Sequence, residues 1–157
     1  MHPTRHRFTI SPEIQGRIAG GDLRLLTSSG LPVMEDAAPF SPISDPKIVG
    51  QFLLFCGSPR VVQLGLNVET GEVGAIWRWA PPCFANSSLS LYADSIIAFA
   101  EGLPYDADEE GYPDNILAQA DGLRRRIAQI DPPAIGDNTF WNEISWDVVN
   151  GEWSSED

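Results

Sequence analysis

The sequence predicts an α+β fold, a mainly antiparallel sheet packed against helices. Two stretches, residues 87–101 and 114–130, carry apolar side chains at spacings of three and four, the signature of amphipathic helices. Ahead of them, residues 48–80 hold one apolar run and two alternating apolar/polar segments between glycine-containing turns, the pattern of an antiparallel meander. The order also matters, because strands followed by helices favour a segregated α+β arrangement over a parallel sheet wound with helices. At 157 residues the chain suits one domain spanning 1–157, with residues 1–21 the least readable part.

In chain order, Ser11-Pro12-Glu13 can start a short helix, and Gly16, Gly20 and Gly21 argue against a long one. Asp22 is placed to cap a short helix through Leu23, Leu25 and Leu26, closed before Gly30. From Pro32 to Pro46 four prolines predict an extended, irregular loop. The apolar run 48–57 predicts one buried strand. Val62, Leu64, Leu66 and Val68 predict a second strand with one buried face, and Val73, Ala75, Trp77 and Trp79 a third. A turn at Glu69-Thr70-Gly71 joins the last two.

The helix 87–101 is bounded by Asn86, Ser87 and Ser88, read as caps, and by Gly102, read as a left-handed stop. Leu89, Tyr92, Ile96, Phe99 and Leu103 form its apolar side. Asp114 is read as the cap of the helix 114–130, whose buried face holds Ile116, Ala120, Leu123, Ile127 and Ile130. Arg124, Arg125 and Arg126 lie on its other side, where positive charge suits a helix C-terminus. After Asp131-Pro132-Pro133, the alternation of Ile144, Trp146 and Val148 against Glu143, Ser145 and Asp147 predicts a C-terminal strand, with a short helix from Asn142 the alternative.

Charge narrows the function. Twenty-two acidic residues against ten basic ones leave a net charge of -12. That field repels nucleic acid and anionic membrane surfaces and speeds encounter with a basic protein, though acidity also serves solubility. No apolar run approaches the roughly 20 residues that a bilayer crossing needs. The basic residues 1–10 lack the apolar segment of a secretory leader, so the cytoplasm is the expected location. Cys56 and Cys83 are then expected as reduced side chains rather than a disulfide.

Catalytic constellations are scarce. The histidines, His2 and His6, both lie near the N-terminus, so a serine or cysteine triad has no imidazole in the body of the fold. The glycines at 71 and 74 lie in a predicted hairpin rather than a strand-to-helix phosphate loop, and no lysine follows them. The acidic stretch 104–115 lacks the residue order of a calcium loop. No catalytic residue, metal site or cofactor is therefore assigned. The same stretch has no apolar face to bury and carries carboxylates between two tyrosines, so its candidate partner-binding residues are Tyr105, Asp106, Asp108, Glu109, Glu110, Tyr112 and Asp114.

Five segments carry a resemblance: Leu25 to Pro32, Asn67 to Val73, Phe84 to Leu89, Ile130-Asp131-Pro132, and Phe140-Trp141. In this order and spacing the chain resembles the SUKH superfamily of bacterial immunity proteins, and most of all its fourth immunity subfamily, from about residue 22 onward. The first twenty residues match nothing in that pattern, and Trp77-Arg78-Trp79 is more aromatic than it leads one to expect. The resemblance implies an α+β domain with an antiparallel sheet. It also implies a non-enzymatic protein that binds and neutralises a cognate polymorphic toxin, often one acting on nucleic acid, encoded beside it. Such a toxin needs a positive surface, which the charge of -12 complements. Two other readings stand beside it: a regulatory scaffold domain that binds a host protein, and a small enzyme using carboxylates. Oligomeric state stays open.

Overall fold

A computed structural model describes residues 2–155. The chain forms β1 (Thr4–His6), α1 (Pro12–Gln15), α2 (Gly20–Arg24) running into a π-helical turn (Leu25–Ser29), and β2 (Leu31–Val33). Five strands follow: β3 (Pro42–Val49), β4 (Phe52–Gly57), β5 (Val62–Asn67), β6 (Val73–Trp77) and β7 (Cys83–Asn86). Three helices complete it, α3 (Leu89–Glu101), α4 (Asp114–Ile130) and α5 (Phe140–Val149), with a 3₁₀ turn at Pro132–Ala134. Strands β3 to β7 make an antiparallel sheet in sequence order, and β1 pairs with β2 in a separate ribbon. The fold is α+β with a mainly antiparallel sheet.

The alternating segments behave as their period requires. Val62, Leu64 and Leu66 of β5 point into the core opposite Ala75 and Val73 of β6. Between these strands, Asn67 closes the turn itself, its Oδ1 accepting from the backbone N–H groups of Glu69 at 2.9 Å and Thr70 at 3.2 Å, and Gly71 takes φ +81°. On the opposite face Phe52 lies across paired glycines. A Cβ on Gly65 or on Gly74 would come within 2.9 Å of it, so the ring takes up the space that two side chains would need.

The run 48–57 is not one strand. The chain reverses at Gly50, with φ +64°, so Ile48 pairs with Leu53 and Val49 with Phe52 across a tight hairpin. Ile48 and Val49 thus end β3, whose start reaches back into the proline-rich stretch. Pro42 and Pro46 are tolerated because β3 is an edge strand with a register shift between Pro42 and Lys47. The rest of the predicted loop is pinned by Phe40, which is fully buried and stacks on Trp141 with centroids 5.8 Å apart.

Helix starts differ in detail from expectation. Ser88, rather than Asn86 or Ser87, caps α3, its hydroxyl accepting from Leu91 N–H at 3.2 Å, while Asn86 ends β7. Gly102 is right-handed, φ -87°, and the reason for glycine there is space, since a Cβ would overlap the Tyr105 hydroxyl. Asp22 lies inside α2 instead of capping it. Asp114 is the first residue of α4, placing an acid where the helix dipole favours one, with Pro113 at the capping position.

The C-terminal strand is a helix. Thr139 caps α5, accepting from Asn142 N–H, and Phe140, Trp141, Ile144, Ser145 and Val148 make its buried stripe. Trp146 lies outside that stripe, half exposed, with the Arg124 guanidinium 5.1 Å from its ring. An apolar residue on the solvent side is what gave this helix an apparent period of two. Cys56 is buried, Cys83 half-buried, and both are free thiols.

Candidate partner-binding surface

The acidic stretch begins in the core. Tyr105 is only 2% exposed, and its hydroxyl donates to the Phe99 carbonyl at 2.7 Å while its ring stacks on Phe99. Burial pushes its phenol pKa up to about 12 against the opposing influence of Arg126. Its ring is spent on packing and is not available to a partner, which removes it from the residues expected at the surface. Buried Tyr105 anchors the stretch, so the residues after it leave the fold from a fixed point.

Asp106 is exposed, and its carboxylate accepts from the backbone N–H of Ser155 at 2.7 Å and from the Ser155 hydroxyl at 2.8 Å. Those bonds to the charged form hold its pKa below the ordinary carboxylate value. Its backbone carbonyl accepts from Gln119 of α4 at 2.7 Å. Asp108 turns the chain, accepting from Glu110 N–H at 3.1 Å, and leaves Glu109 and Glu110 in solvent. Tyr112 is 62% exposed. Asp106 and Tyr112 meet at a cleft of about 350 Å³ that Ile116 and Asn150 also line. The arrangement offers negative charge on a tethered loop with one aromatic ring beside it.

A second surface carries residues that sequence reasoning did not select. Trp79, two residues beyond β6, is 80% exposed, with the Arg78 guanidinium 4.8 Å from its ring centroid. Next to it lies a groove of about 590 Å³ walled by Trp77, Pro81, Pro82 and Cys83 and, from α5, by Glu143. The Trp77 indole N–H donates to the Cys83 sulfur at 3.2 Å. One turn on from Glu143, Asp147 is half-buried, and burial, with Glu152 and Glu143 adding repulsion, raises its pKa to about 7. The excess of aromatic residues at 77–79 was the signal available in the sequence.

The segments that carried the resemblance converge elsewhere, in the interior. Asn86, fully buried, donates through Nδ2 to Ser95 Oγ at 3.0 Å and to Asp131 Oδ2 at 3.1 Å, and accepts from the Trp141 indole N–H at 2.8 Å. Asp131, also buried, accepts two further bonds of 2.7 Å, from the backbone N–H and the hydroxyl of Ser87. This network ties β7, α3, the end of α4 and α5 together and satisfies a buried carboxylate with three donors. A family model described as SUKH-4 immunity protein matches residues 16–147. The chain belongs to the SUKH-4 immunity protein family. No match was found among curated proteins or among solved structures.

In this SUKH-4 chain the remaining recognisable segments are also structural. Gly30, at φ +90°, accepts through its carbonyl from Arg5 at 2.8 Å, and Asn67 closes the turn described above. Among the described residues no group of three or more His, Cys, Asp or Glu side chains is placed to hold a metal ion, and no helix is long and apolar enough to cross a membrane.

Proposed function

We propose that this SUKH-4 chain is a non-enzymatic immunity protein that binds and neutralises a cognate toxin domain acting on nucleic acid. Membership of an immunity protein family carries the reading, and the net charge of -12 supports a basic partner. The exposed carboxylates of Asp106, Asp108, Glu109, Glu110 and Asp114, with Tyr112 beside them, are the surface that first meets it. Negative charge held on an exposed loop accelerates encounter with a positive active-site face more than it tightens the final complex. Neutralisation follows from occlusion, because a bound acidic protein occupies the surface that nucleic acid requires.

The test is stopped-flow association with the toxin domain encoded in the neighbouring reading frame, alongside protection of cells that express that toxin. Replacing Asp108, Glu109 and Glu110 with lysine should slow association about tenfold at low salt and flatten its dependence on ionic strength. Unchanged association and salt dependence would place the encounter surface elsewhere. Failure of the parent chain to bind the toxin or protect cells would refute the immunity reading itself.

A further inference from the structure

The acidic loop explains encounter, but it offers little apolar area to hold a partner once bound, because Tyr105 is committed to the core. The groove between the β6–β7 connection and α5 has what the loop lacks. Its walls include Trp77, Ala80, Pro81, Pro82 and Cys83, and Trp79, the chain neighbour of Ala80, is exposed. A proline pair brings no backbone N–H to satisfy and loses little freedom on binding. Large exposed aromatic rings next to a preformed concavity are the usual anchors of protein interfaces.

Charge decides what the groove would take. Glu143 faces it from the first turn of α5, and no ion pair reaches Glu143 among the described residues. Burial raises the Cys83 thiol pKa, the Trp77 N–H bond lowers it, and the Glu143 charge raises it again, so that charge is felt at the groove floor. Arg78, the cation next to Trp77 in the chain, is held over Trp79 rather than paired with Glu143. The site is thus an apolar slot with an unpaired carboxylate on one wall, which complements a long aliphatic side chain ending in a positive charge.

We infer that the toxin seats an arginine or lysine side chain in this groove, its alkyl stem against Trp77, Pro81 and Pro82 and its charged head at Glu143, with Trp79 packing over the inserted segment. The inference rests on the immunity reading and names the contact that sustains the complex. Such an anchor acts on dissociation, whereas the acidic loop acts on association.

Surface plasmon resonance with the purified toxin domain separates the two. Trp79→Ala and Glu143→Lys should each weaken binding at least about tenfold, mainly through faster dissociation, with association nearly unchanged for Trp79→Ala. Glu143→Gln, which keeps the shape and removes the charge, should fall between parent and Glu143→Lys. Trp79 is solvent-exposed, so Trp79→Ala should keep the parent's melting temperature, and the Glu143 variants, whose charge acts on Asp147, are compared well below their melting temperatures. If the parent binds and Trp79→Ala and Glu143→Lys both stay within about twofold of it, the groove is not the anchor and the immunity reading survives. If the parent neither binds nor protects, both fall together.

Discussion

Replacing Asn86 with alanine removes the centre of the buried network, and its cost follows from what is left behind. The Trp141 indole N–H, on a fully buried ring, loses its acceptor, and Asp131 loses one of three donors to a carboxylate that is almost entirely out of water. A buried donor without a partner costs about 1–3 kcal/mol, and an under-satisfied buried charge costs more than a neutral group. Together they amount to about 3–5 kcal/mol, a large part of the roughly 5–15 kcal/mol that holds a domain folded. Urea unfolding followed by tryptophan fluorescence reads this directly. With a urea slope of about 1–3 kcal/mol per molar, the midpoint should fall by about 2 M. Asn86→Asp is the sharper companion. It keeps an acceptor for Trp141 but sets a second carboxylate against Asp131, so it should be at least as destabilising at neutral pH and recover partly on acidification. A loss below about 1 kcal/mol for Asn86→Ala would show that the network is not holding β7 to α5, and would refute the reasoning.

Three further substitutions test other parts of the fold. Gly57 has φ +99°, and a Cβ there would overlap the Val62 carbonyl oxygen and approach Gln63 Cα to 2.9 Å, so Gly57→Ala should cost more than about 3 kcal/mol. Gly71→Ala, at φ +81° in open space, should cost only about 1 kcal/mol, both read by urea unfolding. For Asp147, the folded-state pKa is raised from 3.8 to about 7, so the folded protein holds a proton that the unfolded chain releases. Stability from this group is complete below pH 3.8 and is lost as pH rises through about 7. Because the carboxyl is half exposed, the effect is discounted to about 1–2 kcal/mol. Asp147→Asn should therefore be more stable than the parent at pH 8 by that amount and nearly equal to it at pH 4, measured by urea unfolding at both values.

What could be read from the sequence followed from how local its physical cause is. The β5–β6 hairpin is set by alternation and by Asn67 and Gly71 within the turn itself, and it folds as its pattern requires. Helix α4 is likewise legible, since Ile116, Ala120, Leu123 and Ile127 repeat at helical spacing along one buried face. Helix α5 was misread because Trp146 faces solvent under Arg124, a residue of another helix that no local pattern reveals. Gly50 looked like a glycine within a buried strand and is instead the pivot between two. Asn86, followed by two serines, had the chemistry of a helix cap. Its real partners, Asp131 and Trp141, lie 45 and 55 residues further on, beyond any window of local reasoning.

The same geometry separates the residues that make this chain recognisable from those able to meet a partner. Asn86, Asp131 and Trp141 are buried, and their side-chain polar atoms are engaged with one another or with Ser87 and Ser95, so they are not presented to a partner. Asn67 is used up in its turn in the same way. By contrast Glu109, Glu110 and Glu143 are exposed, and Trp79 leaves most of a large ring in solvent. The buried network and these exposed positions can change independently, because substitutions at 109, 110, 143 or 79 disturb no buried hydrogen bond. If the proposed immunity function holds, grafting those exposed positions between chains should move binding preference while the buried network stays intact.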